Sequence, residues 1–374
     1  MLRRCAVCLL YGRKPRVMAM LVLVAVVVLV IFIVQLQEIG RRPDRECCLC
    51  PEAARIVFHP DTKDRSLRQP QATVVGREFA KTMSRDPGPH IFMVIAPGTW
   101  VTDYHVCSVE SAALHHPGHN VHLLLLGERS KDTLYMDATR LTHLSHIINV
   151  RLWHIKTADI FIGSPLQHLY YKEFLRNPYS GDGTHVMDAV KVLLLWMFGG
   201  IILDPDFVVL KTIDDDKFTN AIVEDGKDFP TIHFLRFQKN SSFLSTWMKE
   251  FQDNYNAYDA HDAGIVVLMR SIRSVCNISA LNEVDVSGCQ LTVLKSRYFF
   301  PVHQKEANDI FKRGRDMTLI VKNSFAVWLW SDKVHVRISD LDFSFYRKLM
   351  RDHCPTINLN GGRYVYRRGL HGEM

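Results

Sequence analysis

The sequence contains no internal repeat, which excludes solenoid architectures, and no long low-complexity tract, which excludes long linkers of biased composition. After its first 16 residues, the chain also lacks a large excess of positive or negative charge. Five basic residues at the start of the chain account for most of the formal net charge of +7, namely Arg3, Arg4, Arg13, Lys14 and Arg16. Because the rest of the chain is close to neutral, its charge does not indicate a nucleic-acid partner.

Residues 17–34, VMAMLVLVAVVVLVIFIV, contain no charged side chain. As a helix, this run approaches the ~30 Å thickness of the bilayer hydrocarbon. It is longer than the roughly 7–15 apolar residues of a cleaved signal peptide, so it predicts an uncleaved transmembrane signal-anchor over residues 17–36. Residues 1–16 are basic and contain no acid, and the positive-inside rule places them in the cytosol. The sequence therefore predicts a type II membrane protein with the remainder in the lumen.

Residues 37–88 are rich in Arg, Pro, Asp and Gln and show little periodicity, which predicts a stem before a lumenal domain at residues 89–374. Cysteines beyond the anchor are disulfide candidates, because a lumenal compartment is oxidising. Cys276 and Cys289 are spaced to close a short loop. The CCLC sequence at 47–50 is followed by no second Cys/His pair at zinc-finger spacing, so we interpret it as stem cysteines that bridge locally or join two copies of the chain.

Strand-like and helix-like patterns alternate from His90 onward, which predicts an α/β domain whose mainly parallel sheet is covered by helices. Strands are predicted at 90–98, 120–127, 146–155, 201–203, 207–210, 231–237, 289–302 and 324–332, and helices at 105–116, 165–177, 185–198, 243–255 and 264–276. Two glycosylation sequons, at Asn240 and Asn277, agree with a lumenal location.

Two carboxylates lie within the most apolar part of this domain, in LLLWMFGGIILDPDFVVLK at 193–211. Asp204-Pro205-Asp206 alone predicts a turn. Here, however, a helix, Gly-Gly and a buried strand deliver both acids to the end of a central strand, where open α/β sheets bind ligands. In extended geometry the two side chains share one face. We therefore predict that Asp204 and Asp206 bind Mn²⁺ or Mg²⁺, which neutralises a leaving diphosphate.

The segment DAVKVLLLWMFGGIILDPDFVVLK, at 188–211, resembles the Asp-x-Asp region of the α-1,4-glycosyltransferases. Three more segments resemble that family in the same order: CSVESAALHHPGHNVHLLLLG at 107–127, EFQDNYNAY at 250–258 and RDHCPTI at 351–357. The resemblance spans about residues 90–357. It implies a Golgi type II membrane enzyme with a nucleotide-sugar transferase fold of the GT-A type.

The resemblance also implies a reaction. Galactose or N-acetylgalactosamine, or another hexose or N-acetylhexosamine, would move from a UDP-sugar in α-1,4 linkage to a glycosphingolipid such as lactosylceramide, with retention. Asp204 and Asp206 would bind Mn²⁺ and the UDP diphosphate. Asp188 would lie near the donor, and Lys191, which replaces an arginine of the family, would bind a phosphate or a carboxylate there. Asp188 has an alternative role as a helix N-terminal carboxylate.

Three segments depart from the family pattern. Asn-Gly-Ala becomes Thr-Ile-His at 231–233, Gly-His-Gln-Gly-Pro becomes His-Asp-Ala-Gly-Ile at 261–265, and His-Val-Trp-Asn becomes Trp-Leu-Trp-Ser at 328–331. Either specificity has changed, or activity has weakened and the chain is a glycan-binding or chaperone-like relative. No residue is a convincing nucleophile. Asp188 and Asp262 are the catalytic candidates, and a front-face displacement assisted by the donor phosphate is favoured.

Overall fold

The computed structural model describes residues 74–86, 88–128, 137–175, 184–213, 218–256, 264–283, 289–334 and 343–359. The predicted cytosolic tail, the anchor and most of the stem lie outside these residues, as do His261 and Asp262. Within the described ranges, no helix has the length and hydrophobicity needed to cross a bilayer.

The chain alternates strands and helices through most of its described length. The strands are β1 His90–Ile95, β2 Asn120–Leu126, β3 Val150–Ile155, β4 Gly200–Leu203, β5 Phe207–Val209, β6 Ala221–Glu224, β7 Pro230–Phe237, β8 Thr292–Leu294 and β9 Ala326–Trp328. The α-helices are α1 Val74–Arg85, α2 Asp103–His115, α3 Thr157–Phe161, α4 Gln167–Leu169, α5 Thr184–Phe198, α6 Ser242–Asn254, α7 Ile265–Cys276, α8 Thr318–Val321, α9 Phe345–His353 and α10 Pro355–Leu359. A π-helical turn, Tyr170–Phe174, continues α4.

Seven strands form the main sheet in the order β3-β2-β1-β4-β7-β6-β8. β7 runs antiparallel to both of its neighbours, β4 and β6, while the other four pairings are parallel. The predicted α/β class with a mainly parallel sheet is therefore confirmed. β5 and β9 pair antiparallel in a separate two-stranded sheet.

Hydrophobic residues cover both faces of the main sheet. Successive side chains of a strand point to opposite faces, so β1 contributes Ile91 and Met93 to one core layer and Phe92 and Val94 to the other. The first layer includes the buried face of α2, and the second includes α5, α6 and α7. This burial on both faces explains why β1 and β2 are apolar almost without interruption.

Helix α1 lies within the range that the sequence assigns to the stem. Its side chains Phe79 and Met83 are each 3% exposed, and the Phe79 ring packs edge-on against Trp153 and Phe198 at centroid distances of 5.1 and 5.8 Å. Helix α1 therefore packs against β3 and α5, although the sequence assigns its residues to the stem. The helix was missed because its apolar positions are few and lie in a strongly polar context.

Two predicted strands are much shorter than their apolar patterns suggest. The 289–302 pattern contains only β8 and then a 3₁₀ turn, Ser296–Tyr298. The 324–332 pattern contains only β9, because Trp330 has a φ of 56°, outside the range of a strand. The aromatic residues that follow β8 pack in the core from turns, so tertiary burial and not strand pairing accounts for their hydrophobicity.

Both disulfides in the described part of the chain involve predicted candidates. Cys276 pairs with Cys289, which confirms the short loop inferred from their spacing. Cys107 on α2 pairs with Cys354 directly after α9, across a sequence separation of 247 residues. The cysteines at 47, 48 and 50 lie outside the described residues. The second bridge ties the end of the domain to its first helix after β1.

Candidate functional site

The Gly199-Gly200 pair turns the chain sharply from α5 into the central strand β4. Gly199 ends the helix with a φ of 71°, and its N–H donates to the Leu195 carbonyl at 2.8 Å. Gly200 has a φ of 106°, and a Cβ there would overlap the carbonyl oxygen of His90. Only glycine satisfies both the conformation and the close approach. The apolar helix and strand thus meet where the sequence predicted, and Asp204 follows β4 directly.

Asp204, Pro205 and Asp206 form a turn rather than the extended segment that the sequence argument assumed. The Phe207 N–H donates to the Asp204 carbonyl at 3.1 Å, and β4 has already ended at Leu203. Proline fixes the φ that such a turn requires, so the local preference of the tripeptide prevails. The turn carries the chain out of the main sheet and into β5 of the two-stranded sheet.

Asp204 is buried and held by two nitrogen donors. Its Oδ1 lies 2.7 Å from the Lys191 ammonium, and its Oδ2 lies 2.5 Å from the His233 Nδ1. Burial alone would raise the pKa of Asp204, but the Lys191 ammonium and the His233 imidazole hold it below its usual value. A carboxylate only accepts hydrogen bonds, so the His233 Nδ1 carries the proton. Asp204 is therefore an ionised group at neutral pH.

Asp206 is held by the segment that follows β9. Its backbone carbonyl accepts from the Leu329 N–H at 3.0 Å, and its Oδ2 accepts from the Ser331 N–H at 3.1 Å. Its Oδ1 is buried and has no hydrogen-bond partner. Burial raises the pKa of Asp206 to about 7, against the opposing effect of the Ser331 hydrogen bond. A buried carboxylate oxygen without a partner is the feature that a cation would satisfy.

Asp188, on α5, is buried and lies within electrostatic range of Lys191 and Asp204. Burial raises its pKa to about 7, the Asp204 charge adds to this effect and the Lys191 ammonium opposes it. Gly264, just before α7, has a φ of 48°, and a Cβ there would overlap the Asp188 carboxylate and lie 2.9 Å from Ile232 Cδ1. The structure thus brings Asp188, Lys191 and Asp204 together. Asp262 lies outside the described residues.

Sequence reasoning missed the contacts of His233 and of residues 328–331, although it marked both segments as departures from the family. The His233 ring lies with its centroid 4.3 Å from that of Trp328, so two of the departures touch each other beside Asp204. The support of Asp206 comes from backbone N–H groups of residues 329 and 331. Every residue type except proline offers such a donor, so no sequence signal reveals it.

The carboxylates fit a metal site that is only partly built from protein. Among the described residues, no group of three or more His, Cys, Asp or Glu side chains is arranged to hold a metal ion. Mg²⁺ and similar cations in nucleotide sites are commonly bound by one or two carboxylates, with substrate phosphates and water completing the shell. Asp204 and Asp206 meet that requirement, and the unpartnered Oδ1 of Asp206 is an available ligand atom.

Comparison with known proteins shows which family the chain resembles. Residues 236–360 match a family model described as the "Alpha 1,4-glycosyltransferase conserved region". Lactosylceramide 4-alpha-galactosyltransferase from Homo sapiens is 27% identical over 277 residues, which cover 73% of this chain and 77% of that protein. Alpha-1,4-N-acetylglucosaminyltransferase from Homo sapiens is 24% identical over 289 residues, which cover 75% of this chain and 78% of that protein.

Among solved structures, the PaToxG glycosyltransferase shares 12% identity at a TM-score of 0.42, covering 76% of this chain and 94% of its own. A score at this level carries no argument about function. The family model and the curated relatives are independent of it. The resemblance of the chain to the α-1,4-glycosyltransferase family, first seen in its sequence motifs, is thus confirmed by a conserved region and by relatives that match about three quarters of the chain.

Proposed function

We propose that this chain is a retaining, metal-dependent glycosyltransferase with a GT-A type of fold. It transfers a hexose or N-acetylhexosamine, with galactose or N-acetylgalactosamine favoured, from a UDP-sugar in α-1,4 linkage to a glycosphingolipid such as lactosylceramide. The observation that carries the proposal is the pair of buried aspartates after the central strand β4, of which Asp206 has an oxygen without a partner. The names of the relatives supply the substrate classes.

The residues of the cluster have separable roles in this proposal. Asp204 and Asp206 would hold Mn²⁺ or Mg²⁺, and the metal supplies neutralisation of the leaving diphosphate charge. Lys191 keeps Asp204 ionised and oriented through its 2.7 Å contact. Asp188 lies within electrostatic range of both Lys191 and Asp204. Asp188 remains a candidate for contact with the donor, and Asp262 remains a candidate for a polar group at the acceptor site.

In the reaction, the bond between the sugar C1 and the β-phosphate oxygen breaks and a bond from C1 to the acceptor 4-oxygen forms on the same face. The acceptor hydroxyl proton passes to the departing diphosphate, and UDP leaves. Asp204 and Asp206 would hold the metal in this proposal, and Asp204 is already paired with Lys191 and His233, so neither is assigned as a nucleophile. We therefore favour the front-face route over a covalent intermediate.

We further propose a Golgi membrane location with the domain in the lumen. The hydrophobic segment at 17–36, the basic residues before it and the two disulfides support this placement. Asn240 and Asn277, the two sequon asparagines, are both exposed, as glycan attachment requires. The stem cysteines at 47–50 are candidates for a link between two copies.

The test uses the purified full chain with a panel of UDP-sugars, first for hydrolysis and then for transfer to lactosylceramide. Turnover should require Mn²⁺ or Mg²⁺ and be abolished by Asp206→Ala. Asp253→Ala is the matched control, because Asp253 lies exposed on α6, where its carboxylate pairs with the Lys249 ammonium. Turnover that persists in a chelator, or in Asp206→Ala, would refute the metal assignment.

A second candidate function is a glycan-binding or chaperone-like protein without turnover. It is favoured by one observation: both oxygens of Asp204 are already engaged by Lys191 and His233, and His233 belongs to a segment that departs from the family. Titration calorimetry separates the two functions. Metal-dependent UDP binding supports the enzyme, whereas glycan binding without any metal-dependent UDP binding supports the alternative.

A further inference from the structure

Aromatic side chains pack together beside the two aspartates of the candidate site. The His233 ring centroid lies 4.3 Å from that of Trp328, and the Trp328 ring packs edge-on against Trp330 at 6.2 Å. The Phe300 ring lies between 5.8 and 6.4 Å from each of these three rings. We call these four side chains the aromatic cluster.

The aromatic cluster is attached to both aspartates. The His233 Nδ1 lies 2.5 Å from Asp204 Oδ2, and Trp330 lies between the two residues whose N–H groups hold Asp206. The hexose of a UDP-sugar is bonded directly to the β-phosphate. A diphosphate bound at the aspartates would therefore bring its sugar next to this cluster.

His233 offers one unused hydrogen-bonding atom to a ligand. Its Nδ1 carries the proton that it donates to Asp204, so in the neutral ring Nε2 is an acceptor. No residue in the described part of the chain donates to that nitrogen, and 35% of the side chain is exposed. Among the described side chains, His233 and the two aspartates do not form a group arranged to hold a metal. A sugar hydroxyl, which donates a single hydrogen bond, fits the position better than a cation does.

Trp330 is held in an unfavourable backbone conformation. Its φ is 56°, which a bulky residue rarely adopts. Its indole N–H donates to the Val302 carbonyl at 2.9 Å, and its own carbonyl accepts from the Lys333 N–H at 2.9 Å. These bonds fix the direction of a half-buried ring. A pyranose has an apolar face of C–H groups and hydroxyls at its rim, and a fixed aromatic ring beside a hydrogen-bond acceptor matches both.

Two of the three departures from the family pattern meet in the aromatic cluster. An alanine of the pattern becomes His233, and a histidine becomes Trp328. Because the two rings are in contact, the cluster keeps one imidazole, which β7 now carries instead of β9. Two substitutions that touch each other and conserve a polar ring favour a changed subsite over the loss of one.

We propose that the aromatic cluster binds a hexose, which in the proposed reaction is the sugar of the UDP-sugar. The C–H face of the pyranose lies against the Trp330 ring, and one of its hydroxyls donates to His233 Nε2. The inference rests on the proposed function and deepens it, because it makes His233 a specificity-determining residue. A hydroxyl has a fixed direction from the pyranose ring, so a hexose that lacks it or carries it on the other face leaves His233 unpaired and binds less tightly.

The test compares the affinity of the purified full chain for UDP with its affinities for UDP-galactose, UDP-N-acetylgalactosamine and UDP-glucose, by titration calorimetry with Mn²⁺. His233→Asn keeps an amide N–H that can donate to Asp204 but removes Nε2. The variant should weaken binding of the UDP-sugar that wild type binds most tightly by about three- to tenfold, the contribution of one hydrogen bond, and should change UDP affinity by less than about twofold. An equal loss for UDP and the UDP-sugar, or no loss for either, overturns the proposal.

His146→Asn is the matched control. His146 is exposed on the loop before β3, at the opposite end of the parallel strands from the aspartates, so its replacement should leave all four affinities unchanged. An unchanged denaturation midpoint for His233→Asn shows that its weaker binding is not a loss of fold. Pulsed electron paramagnetic resonance of the chain with Mn²⁺ adds a second readout. A nitrogen coupling that disappears in His233→Asn would show that Nε2 binds the metal, which overturns its assignment to a sugar hydroxyl.

Saturation-transfer NMR with methyl α-galactoside, without nucleotide or metal, separates the subsite from the enzymatic function. Transfer to the C–H protons of the sugar should occur with wild type and be lost in Trp330→Gly, a substitution that suits the positive φ. A chain that binds the sugar in this way but binds no UDP keeps the subsite and refutes only the enzyme. A chain that binds UDP-sugars with affinities independent of His233 and Trp330 refutes only the subsite.

Discussion

Replacing Asp206 with asparagine should stabilise the metal-free chain even though it removes metal binding. The folded-state pKa of Asp206 is about 7, above the unfolded value of about 3.9. The ionised carboxylate therefore costs stability above pH 7, and the cost disappears as the pH falls below about 4. A difference of about three pKa units corresponds to at most ~4 kcal/mol. Because asparagine still buries an unpaired polar atom, we expect a gain of about 1–2 kcal/mol.

Asp204→Asn is the matched contrast with the opposite sign. The folded pKa of Asp204 is lowered, so its stabilising contribution is present above the unfolded pKa and is lost as the pH falls through the folded value. Removing its charge leaves Lys191, only 7% exposed, without a carboxylate partner at 2.7 Å. Breaking a buried pair in this way typically costs about 3–5 kcal/mol.

Denaturant unfolding, followed by tryptophan fluorescence in chelator, measures both variants between pH 5 and pH 8. The advantage of Asp206→Asn over wild type should be largest at pH 8 and should shrink as the pH falls towards 5, because protonation of Asp206 removes the cost in wild type. Histidines whose pKa is lowered by burial, such as His122 and His353, act in the opposite direction in both proteins and cancel in this difference. Asp188 acts in the same direction as Asp206 and also remains in both proteins. Added Mn²⁺ should stabilise wild type in a concentration-dependent manner and leave Asp206→Asn unchanged. An Asp206→Asn variant less stable than wild type in chelator would show that the orphaned oxygen is not a source of strain.

Three further predictions concern residues that hold the site or the surrounding fold in place. Gly264→Ala should abolish metal-dependent UDP binding and should destabilise the fold by more than Gly314→Ala. Gly314 shares a positive φ but has nothing within 4 Å of an added Cβ, so equal effects of the two substitutions would mean that backbone strain alone explains the loss. Cys354→Ala should lower the free energy of unfolding by about 5 kcal/mol and Cys276→Ala by about 3, because the first bridge closes a far longer loop; the reverse order would contradict the chain-entropy account. Glu110→Ala should cost about 1–3 kcal/mol in the same assay, since its carboxylate accepts two backbone N–H groups where α10 begins, and an unchanged midpoint would exclude that role.

Much of the fold could be predicted because its strongest signals are local. The apolar runs of β1 and β2, the helical spacing of α5 and the Gly-Gly stop before β4 each identify their element and place Asp204 at the end of a central strand. Long periodic elements of this kind depend little on distant contacts. The placement of the two aspartates already predicted a divalent cation and a diphosphate, and the family resemblance then added the expected sugar transfer.

The remaining features depend on contacts between segments far apart in the chain. The antiparallel direction of β7 and the second sheet formed by β5 and β9 have no signature within either strand. Trp330 was predicted to lie in a strand because it is aromatic. Its φ is 56°, and it lies between Leu329 and Ser331, whose N–H groups bind Asp206. The His233 contact with Asp204 spans 29 residues and joins two strands whose pairing the sequence does not specify.

The Asp-Pro-Asp turn joins two separate sheets, and each aspartate is anchored to a different one. The Asp204 N–H donates to the His233 carbonyl in the main sheet and its carboxylate accepts from the His233 ring, whereas Asp206 is held by residues 329 and 331 after the two-stranded sheet. A ligand that contacts both carboxylates would therefore link the main sheet to the two-stranded sheet. Its binding should slow amide hydrogen exchange in β9 as well as in β4, because a ligand bound at the turn would reduce local opening in both sheets.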